Sequence, residues 1–515
     1  MLVSASRRNG LPFALCQTGV LAETVRGCKV RRGGTPRPTR ATRMLPGAPS
    51  HASSPTRGSV LIVVLWATLG LVSVALLFGH SMMMTYRGAD NELAGRQAAQ
   101  AIDGAARYAE TLLKNAVTPG VLPEAAEYLS DTIPVGEATF YLLGRSQNPG
   151  SGTTRSFGLV DESGKIDMNA DPAGGLGAVT ALNQMLKLLP GMTAELADAI
   201  MDWQDADEDL SESGAEAETY SRFTPAYSCK NGPFESIEEL ALLNGATREV
   251  LYGEDTNLNG VLDDNENDGD ASEPADNADG KLDLGILEYV TVFKRESNKH
   301  TDSTGASVPR IDITNIQQAS QDLTTLIDEK LGSGRAARII QLASGPPQSQ
   351  PMKSVLEFYL RCKASPEVLS EDEFGQLIDG LTVGKGDYLS GLINVNTASE
   401  AVLACIPGIG DKAADVVSAR LSRVTQDTNI AWVVEVVGDP GAQQAGPFLT
   451  GRSSQVTADI AAVGRNGRGY RREKVVIDQS TGTPRIVYRR NLAPLGWALG
   501  SEIREELAQL KEQAK

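Results

Sequence analysis

The sequence predicts an α+β protein. One long N-terminal helix and a small antiparallel sheet are expected, interrupted by a large, mainly helical inserted domain with helix-hairpin-helix-like units. Three observations carry this. An uncharged apolar run, Ser59 to Gly79, continues into amphipathic helical spacing; strand patterns lie early and late in the remainder of the chain; and the interior between them carries helix-capping patterns.

The first element is the apolar run. At ~1.5 Å per residue, a helix of this length spans the ~30 Å core of a bilayer. Basic residues precede it and the first residues beyond Arg87 are acidic, so residues 1–58 are expected in the cytoplasm and everything after the run beyond the membrane. No small-residue cleavage site follows the run, unlike a secretory signal peptide. Arg57-Gly58 directly precede it. Taken alone, that junction fits both an uncleaved anchor and a leader cut between Gly58 and Ser59. Residues 1–43 are rich in Arg, Gly and Pro without periodicity, and Met44 is the expected true start.

Segments 59–80 and 81–118 are then the membrane and amphipathic halves of one helix. In the second half Leu93, Ala98, Ile102, Ala105, Ala109 and Leu112 recur at helical spacing, and Pro119-Gly120 end it. Strands are expected at Ala138–Leu143, Ser156–Val160 and Lys165–Asn169, with turns at Asn148–Gly150 and Glu162–Gly164. A late hairpin, Arg472–Asp478 and Arg485–Arg489, turns at Ser480–Pro484. The sheet regions are thus placed at 119–170 and 426–495, with the inserted domain at 171–390 and a helical tail at 496–515.

Ile166–Asn169, Ile311–Asn315 and Ile393–Asn396 each read as a short strand ending in capping residues. After the third, Thr397 to Glu400 fits a capping box. A helix, the hairpin Pro407–Gly410 and a second helix, Lys412–Leu421, complete a helix-hairpin-helix-like segment at 391–425, with a degenerate copy at Leu189–Ile200. Gly408, Ile409 and Gly410, near Lys412, Arg420 and Arg423, are the residues such a hairpin would use to present backbone amides to a phosphate. The alternative function is therefore a membrane-anchored, exported DNA-binding protein of the competence type. Net charge argues against it: the chain carries −17, although residues 1–58 are basic with Glu23 as their sole acid, and nucleic-acid binding needs a cationic surface.

The five cysteines, at 16, 28, 229, 362 and 405, show no metal-like spacing, and His51, His80 and His300 are isolated. No nucleophile–base set or phosphate loop is present, so no enzymatic activity is expected.

One acidic loop carries a specific signal. Asp255, Asn257, Asn259, the Val261 carbonyl, Asp263 and Glu266 match a twelve-residue calcium loop position by position, with Gly260 at the sharp turn and Leu262 pointing inward. A helix at 247–252 should enter it, but Gly269 and Pro274 preclude a long exiting helix, so a structural site is expected and not a sensor. Asn277, Asp279 and Asp283 form a weaker candidate whose first and twelfth positions are Ala275 and Ile286; Asp276 and Glu288 could substitute only by a different geometry. Asp202, Asp205, Asp207 and Asp209, around Trp203, read first as a solvated helix end, with metal binding as the alternative.

These motifs fall in a family order. The Gly58 junction, Gly158–Asn169, Asp202–Asp207, Gly214-Ala215-Glu216 with Tyr220, Phe234–Leu240, Gly391–Thr397 and Pro407–Gly410 together resemble the type II secretion protein K family, the largest minor pseudopilin, over residues 58–490. The resemblance implies a pilin-like domain with a helical insertion that binds calcium. It also implies cleavage by the prepilin peptidase between Gly58 and Ser59, a single pass through the inner membrane and a periplasmic body. The implied partners are other minor pseudopilins and the major pseudopilin, with this subunit initiating or capping the pseudopilus tip. The calcium loop departs from shorter relatives. Val63 stands where most such subunits carry a glutamate that meets a neighbour's N-terminal ammonium; a subunit with nothing above it has no ammonium to meet, and a lone carboxylate in lipid is costly.

Overall fold

The computed structural model describes residues 58–116, 120–145, 155–170, 176–272, 274–345, 350–363, 368–423 and 427–513. Residues 1–57, Met44 among them, and the Asn148–Gly150 turn lie outside them. Contacts divide the chain into two units, Met1–Leu76 and Leu77–Lys515.

The described part of the first unit is the beginning of helix α1, Gly58–Lys114. Its side chains from Val60 to Leu76 are exposed, and the helix is long and apolar enough to cross a membrane. α1 ends at Lys114, short of the expected 118.

Within the second unit, α1 turns an alanine-rich stripe inward. Ala98, Ala101, Ile102, Ala105, Ala106, Ala109 and Leu113 pack on one face of an antiparallel sheet. Small residues let a helix lie close to strands, so a narrow stripe suffices. The sheet contains β1 (Ile133–Val135), β2 (Ala138–Leu143), β3 (Val160–Asp161), β4 (Gln455–Gly464), β5 (Arg468–Asp478) and β6 (Arg485–Asn491). The order is β1-β2-β4-β5-β6, with β3 also on β4. Alternation along β2 sends Phe140 and Leu142 toward α1 and Tyr141 and Leu143 to the opposite face, against Ala498 and Leu499. The late hairpin forms as expected, with Val475 opposite Arg489.

Central strand β4 has no counterpart among the expected strands. Every residue of it is buried, because α1 covers one face and buried polar partners cover part of the other. Its first half does alternate, with Gln455, Thr457 and Asp459 between Val456, Ala458 and Ile460; the polar members meet buried partners, Thr457 on Glu162 and Asp459 on Arg472.

Between β3 and β4 lies a second, larger core that runs from Ile166 to Leu449. It includes helices α2 (Leu176–Lys187) and α3 (Ala194–Gln204), then helices Ile316–Leu331, Ala336–Ser344 and Val355–Cys362. The sheet resumes only at Gln455, later than the expected 426, since Ile430, Trp432, Val433, Val437 and Ala445 are buried in this helical core.

The repeated Ile-Asx pattern has one structural meaning. Ile166–Asp167, Ile311–Asp312 and Ile393–Asn394 each form a two-residue parallel pair, with Val290–Thr291, Leu381–Thr382 and Leu449–Thr450. In each, the Asx side chain then accepts the N–H two residues on, from Asn169, Thr314 or Asn396. Ile166–Asp167 therefore belongs to the inserted region and not, as expected, to the main sheet.

Candidate functional sites

The acidic loop begins where a short helix, Arg248–Tyr252, N-capped by Thr247, ends. One 3-10 turn, Asp264–Glu266, closes it. The Asp255 carboxylate accepts N–H groups from Asn259 (2.9 Å) and Gly260 (2.8 Å), and Glu266 accepts from Thr256 (3.2 Å) and Asp263 (3.1 Å). Asn257 and Asn259 both donate their side-chain N–H to Asp263 Oδ2, at 2.7 and 2.9 Å. Asp255, Asn257, Asn259, Val261 and Glu266 are buried. Burial pushes Asp255 up to about 6 although Arg145 opposes it; burial, then Asp255, push Glu266 up to about 8. Asn257 Oδ1 is buried with no hydrogen-bond partner. Converging, desolvated carboxylates beside an orphaned amide oxygen are a donor set that fits a hard cation. Gly260 has φ +71, and a Cβ there would stand 2.9 Å from Arg145 Cδ.

The weaker loop is exposed at Asn277, Asp279 and Asp283. Its substitutes are engaged elsewhere: Asp276 accepts N–H groups from Asp268, Gly269 and Ala278, and Glu288 pairs with Arg145 at 3.2 Å. Glu254 instead accepts the N–H of Asn277 and Asp283, and Asn267 that of Gly280. The loop's backbone is satisfied by protein groups.

The cluster around Trp203 differs from a solvated helix end. Asp202, Asp205 and Glu216 bring ligand oxygens within 4.8 Å of one another, and Asp202 and Glu216 are buried. Asp202 Oδ1 and Asp205 Oδ1 have no hydrogen-bond partner, and the Glu216 oxygens have none of good geometry, with only the Cys229 thiol and the Ala217 N–H near enough to favour the charged form. Burial, followed by Asp207 and Asp202, pushes Asp205 up to about 6, and burial raises Glu216 as well. Asp207 and Asp209 are exposed and stand outside the cluster. Sequence proximity does not group Glu216 with the other carboxylates; Gly214 is the available signal for it, because a Cβ there would lie 1.9 Å from Asp202 Oδ2.

The hairpin joins α4 (Glu400–Ala404) to α5 (Ala413–Ser422). Ser399 caps α4 by accepting the Val402 N–H, and Thr397, expected in that role, donates to Asp161 Oδ2 at 2.7 Å. Gly408, with φ +86, abuts α6 (Val433–Ala445, interrupted at Gly438): its Cβ would stand 2.3 Å from the Gly441 carbonyl oxygen. Ile409 is buried, and Gly410 has open space beside it. Lys412 donates to Val436 O, Arg420 to the carbonyls of Val395 and Ala398, and Arg423 pairs with Glu371 at 2.9 Å. The hairpin is a packing element, and its cations are committed to protein groups. Among the described residues Cys229, Cys362 and Cys405 are free thiols.

Residues 158–252 match the family model described as type II secretion system (T2SS), protein K. Over these residues, less than a fifth of the chain, it is similar to protein K of the type II secretion system. The matched segment contains β3, α2, α3 and the Asp202–Asp205–Glu216 cluster; the loop at Asp255 begins just after it. Among solved structures the chain is similar to a chain of the GspK-GspI-GspJ complex from the enterotoxigenic Escherichia coli type 2 secretion system. The identity is 10%, with 79% of this chain and 99% of that chain covered and a TM-score of 0.37. No curated protein matches the chain.

Proposed function

We propose that the chain is a minor pseudopilin of the type II protein secretion system, which initiates or caps the tip of the pseudopilus. The match to protein K at 158–252 carries this reading. The exposed apolar beginning of α1 supports it, as the single-pass inner-membrane anchor of a periplasmic body. On this reading Gly58 and Ser59 are the prepilin peptidase junction, and Val63 suits a subunit with none above it. Other minor pseudopilins and the major pseudopilin are the partners. The role is assembly and not catalysis.

Calcium belongs to the same proposal. The loop supplies Asp255, Asn257, Asn259, Val261, Asp263 and Glu266, and a second set is Asp202, Asp205 and Glu216, whose orphaned oxygens support it. Calcium would neutralise these buried carboxylates and stabilise the folded chain by linkage.

The test is N-terminal sequencing of the chain extracted from membranes of cells with and without the prepilin peptidase. A mature chain starting at Ser59, seen only with the peptidase, is expected. An identical, uncut N-terminus in both would overturn the pseudopilin assignment.

A further inference from the structure

Arg472, on β5, is a fully buried side chain in the sheet. Its Nε donates to Asp459 Oδ1 at 2.8 Å and Nη2 to Asp459 Oδ2 at 2.6 Å, a bidentate pair across β4 and β5. Its remaining donors leave the sheet. Nη2 reaches Leu258 O at 2.7 Å, and Nη1 reaches the Asn257 carbonyl. Leu258 O also accepts from Arg145 Nη2 at 2.9 Å, and Arg145 lies 3.7 Å from Asp459. Leu258, whose carbonyl both guanidinium groups share, sits at φ +54, a left-handed conformation that costs a non-glycine residue backbone strain. On the same side, Asn257 Nδ2 donates to Trp497 O at 3.3 Å, and Trp497 packs on Tyr470 with ring centroids 4.8 Å apart.

We propose that the acidic loop is a cation-dependent latch between the inserted region and the sheet, with Arg472 its positioning residue on the sheet side. The inference rests on the calcium reading of the loop. The loop's two faces have different tasks. Its side chains converge on the cation, while the carbonyls of residues 257 and 258 face the guanidinium groups of Arg472 and Arg145. A cation that fixes the side chains also fixes those carbonyls, and through Arg472–Asp459 it tightens the pairing of β4 with β5. Conversely, the sheet preorganises the loop, as an outer partner does for a metal ligand.

Hydrogen exchange of the full chain in detergent, with calcium or chelator, tests this. Calcium is expected to slow exchange about tenfold at loop amides 256–266 and also at Ile460–Ala462 and Arg471–Glu473, and Glu266→Gln should abolish both effects. Protection confined to the loop would overturn the latch and leave calcium binding standing. No protection anywhere, with no calcium uptake by titration, would overturn both. Arg145→Met, outside the strand pair, keeps the test open should Arg472→Met fail to fold. Either folded variant should bind calcium at the loop about ten- to a hundredfold more weakly, and unchanged affinity in both would overturn the positioning role.

Discussion

The Gly441 carbonyl oxygen lies 2.3 Å from where a Cβ on Gly408 would stand, so backbone meets backbone where the α4–α5 turn seats on α6. A Gly-Ile-Gly turn can offer its amides to a phosphate only if that side is open, and here α6 covers Gly408. The same glycines that would admit a ligand admit a neighbouring helix.

Gly408→Ala should therefore lower stability by about 2–4 kcal/mol, combining a strained φ with a clash against backbone. Gly410→Ala, with φ +48 and open space around it, should cost about 1 kcal/mol. Denaturant melts of the full chain in detergent check both, and equal costs would mean that the turn is not packed as described.

DNA binding by the full chain should be weaker than the ~10⁻⁴ M end of nonspecific affinities at physiological salt. A titration at several salt concentrations measures this. Micromolar binding that falls steeply with salt would revive the competence-type reading.

Chelation should lower the melting temperature of the full chain. A cation at a hundred times its Kd contributes about 2.7 kcal/mol. Asp255→Ala or Glu266→Ala should remove much of that sensitivity. Identical melting curves with and without chelator would end the calcium assignment.

Glu216→Gln should act with opposite sign in the two conditions. With chelator it removes one of three crowded carboxylates and raises stability; with calcium it removes a ligand and lowers it. Calorimetry in both buffers gives the two signs, and a change of the same sign in both would argue against a cation at Asp202, Asp205 and Glu216.

Glu373 offers a pH test remote from these sites. Its bond from Arg335 (Nη2 to Oε2, 2.9 Å) holds the carboxyl down at about 2, below the ~4.3 of an unfolded glutamate. A depressed carboxylate stabilises above the unfolded value and loses that contribution as pH falls toward the folded one. The stability gap between the wild type and Glu373→Gln should be constant above about pH 5 and close between about pH 4 and 2 in urea melts.

Sequence made some of this legible and hid the rest for physical reasons. α1, β2 and the β5–β6 hairpin were visible because each keeps a periodic pattern, with one face buried. The acidic loop was visible because cation ligands occupy fixed spacings. β4 alternates from Gln455 to Ile460 and so was legible there, but its small residues Ala458, Ala461, Ala462 and Gly464 have weak strand propensity and obscure it. Glu216 was hidden by its distance along the chain from Asp202, and Arg472 because, beside Arg468, Arg471 and Lys474, it reads as one more cation on a solvated face. Thr397 looked like a cap because its threonine–glutamate spacing is right; Asp161, brought there by the fold, claims its hydroxyl and leaves the cap to Ser399.

The strand order has a consequence for how the chain is made. β2 pairs with β4, which comes roughly three hundred residues later, so at ~5–20 residues per second the gap lasts about 15–60 s. Until then the alanine stripe of α1 has only β1–β2 to rest on, and the middle of the sheet is missing. The helical insertion can close its own core while the sheet waits. The last strands to emerge join the beginning of the chain to its end, and a nascent chain stopped before Gln455 would have a finished insertion on an open, adhesive half-sheet.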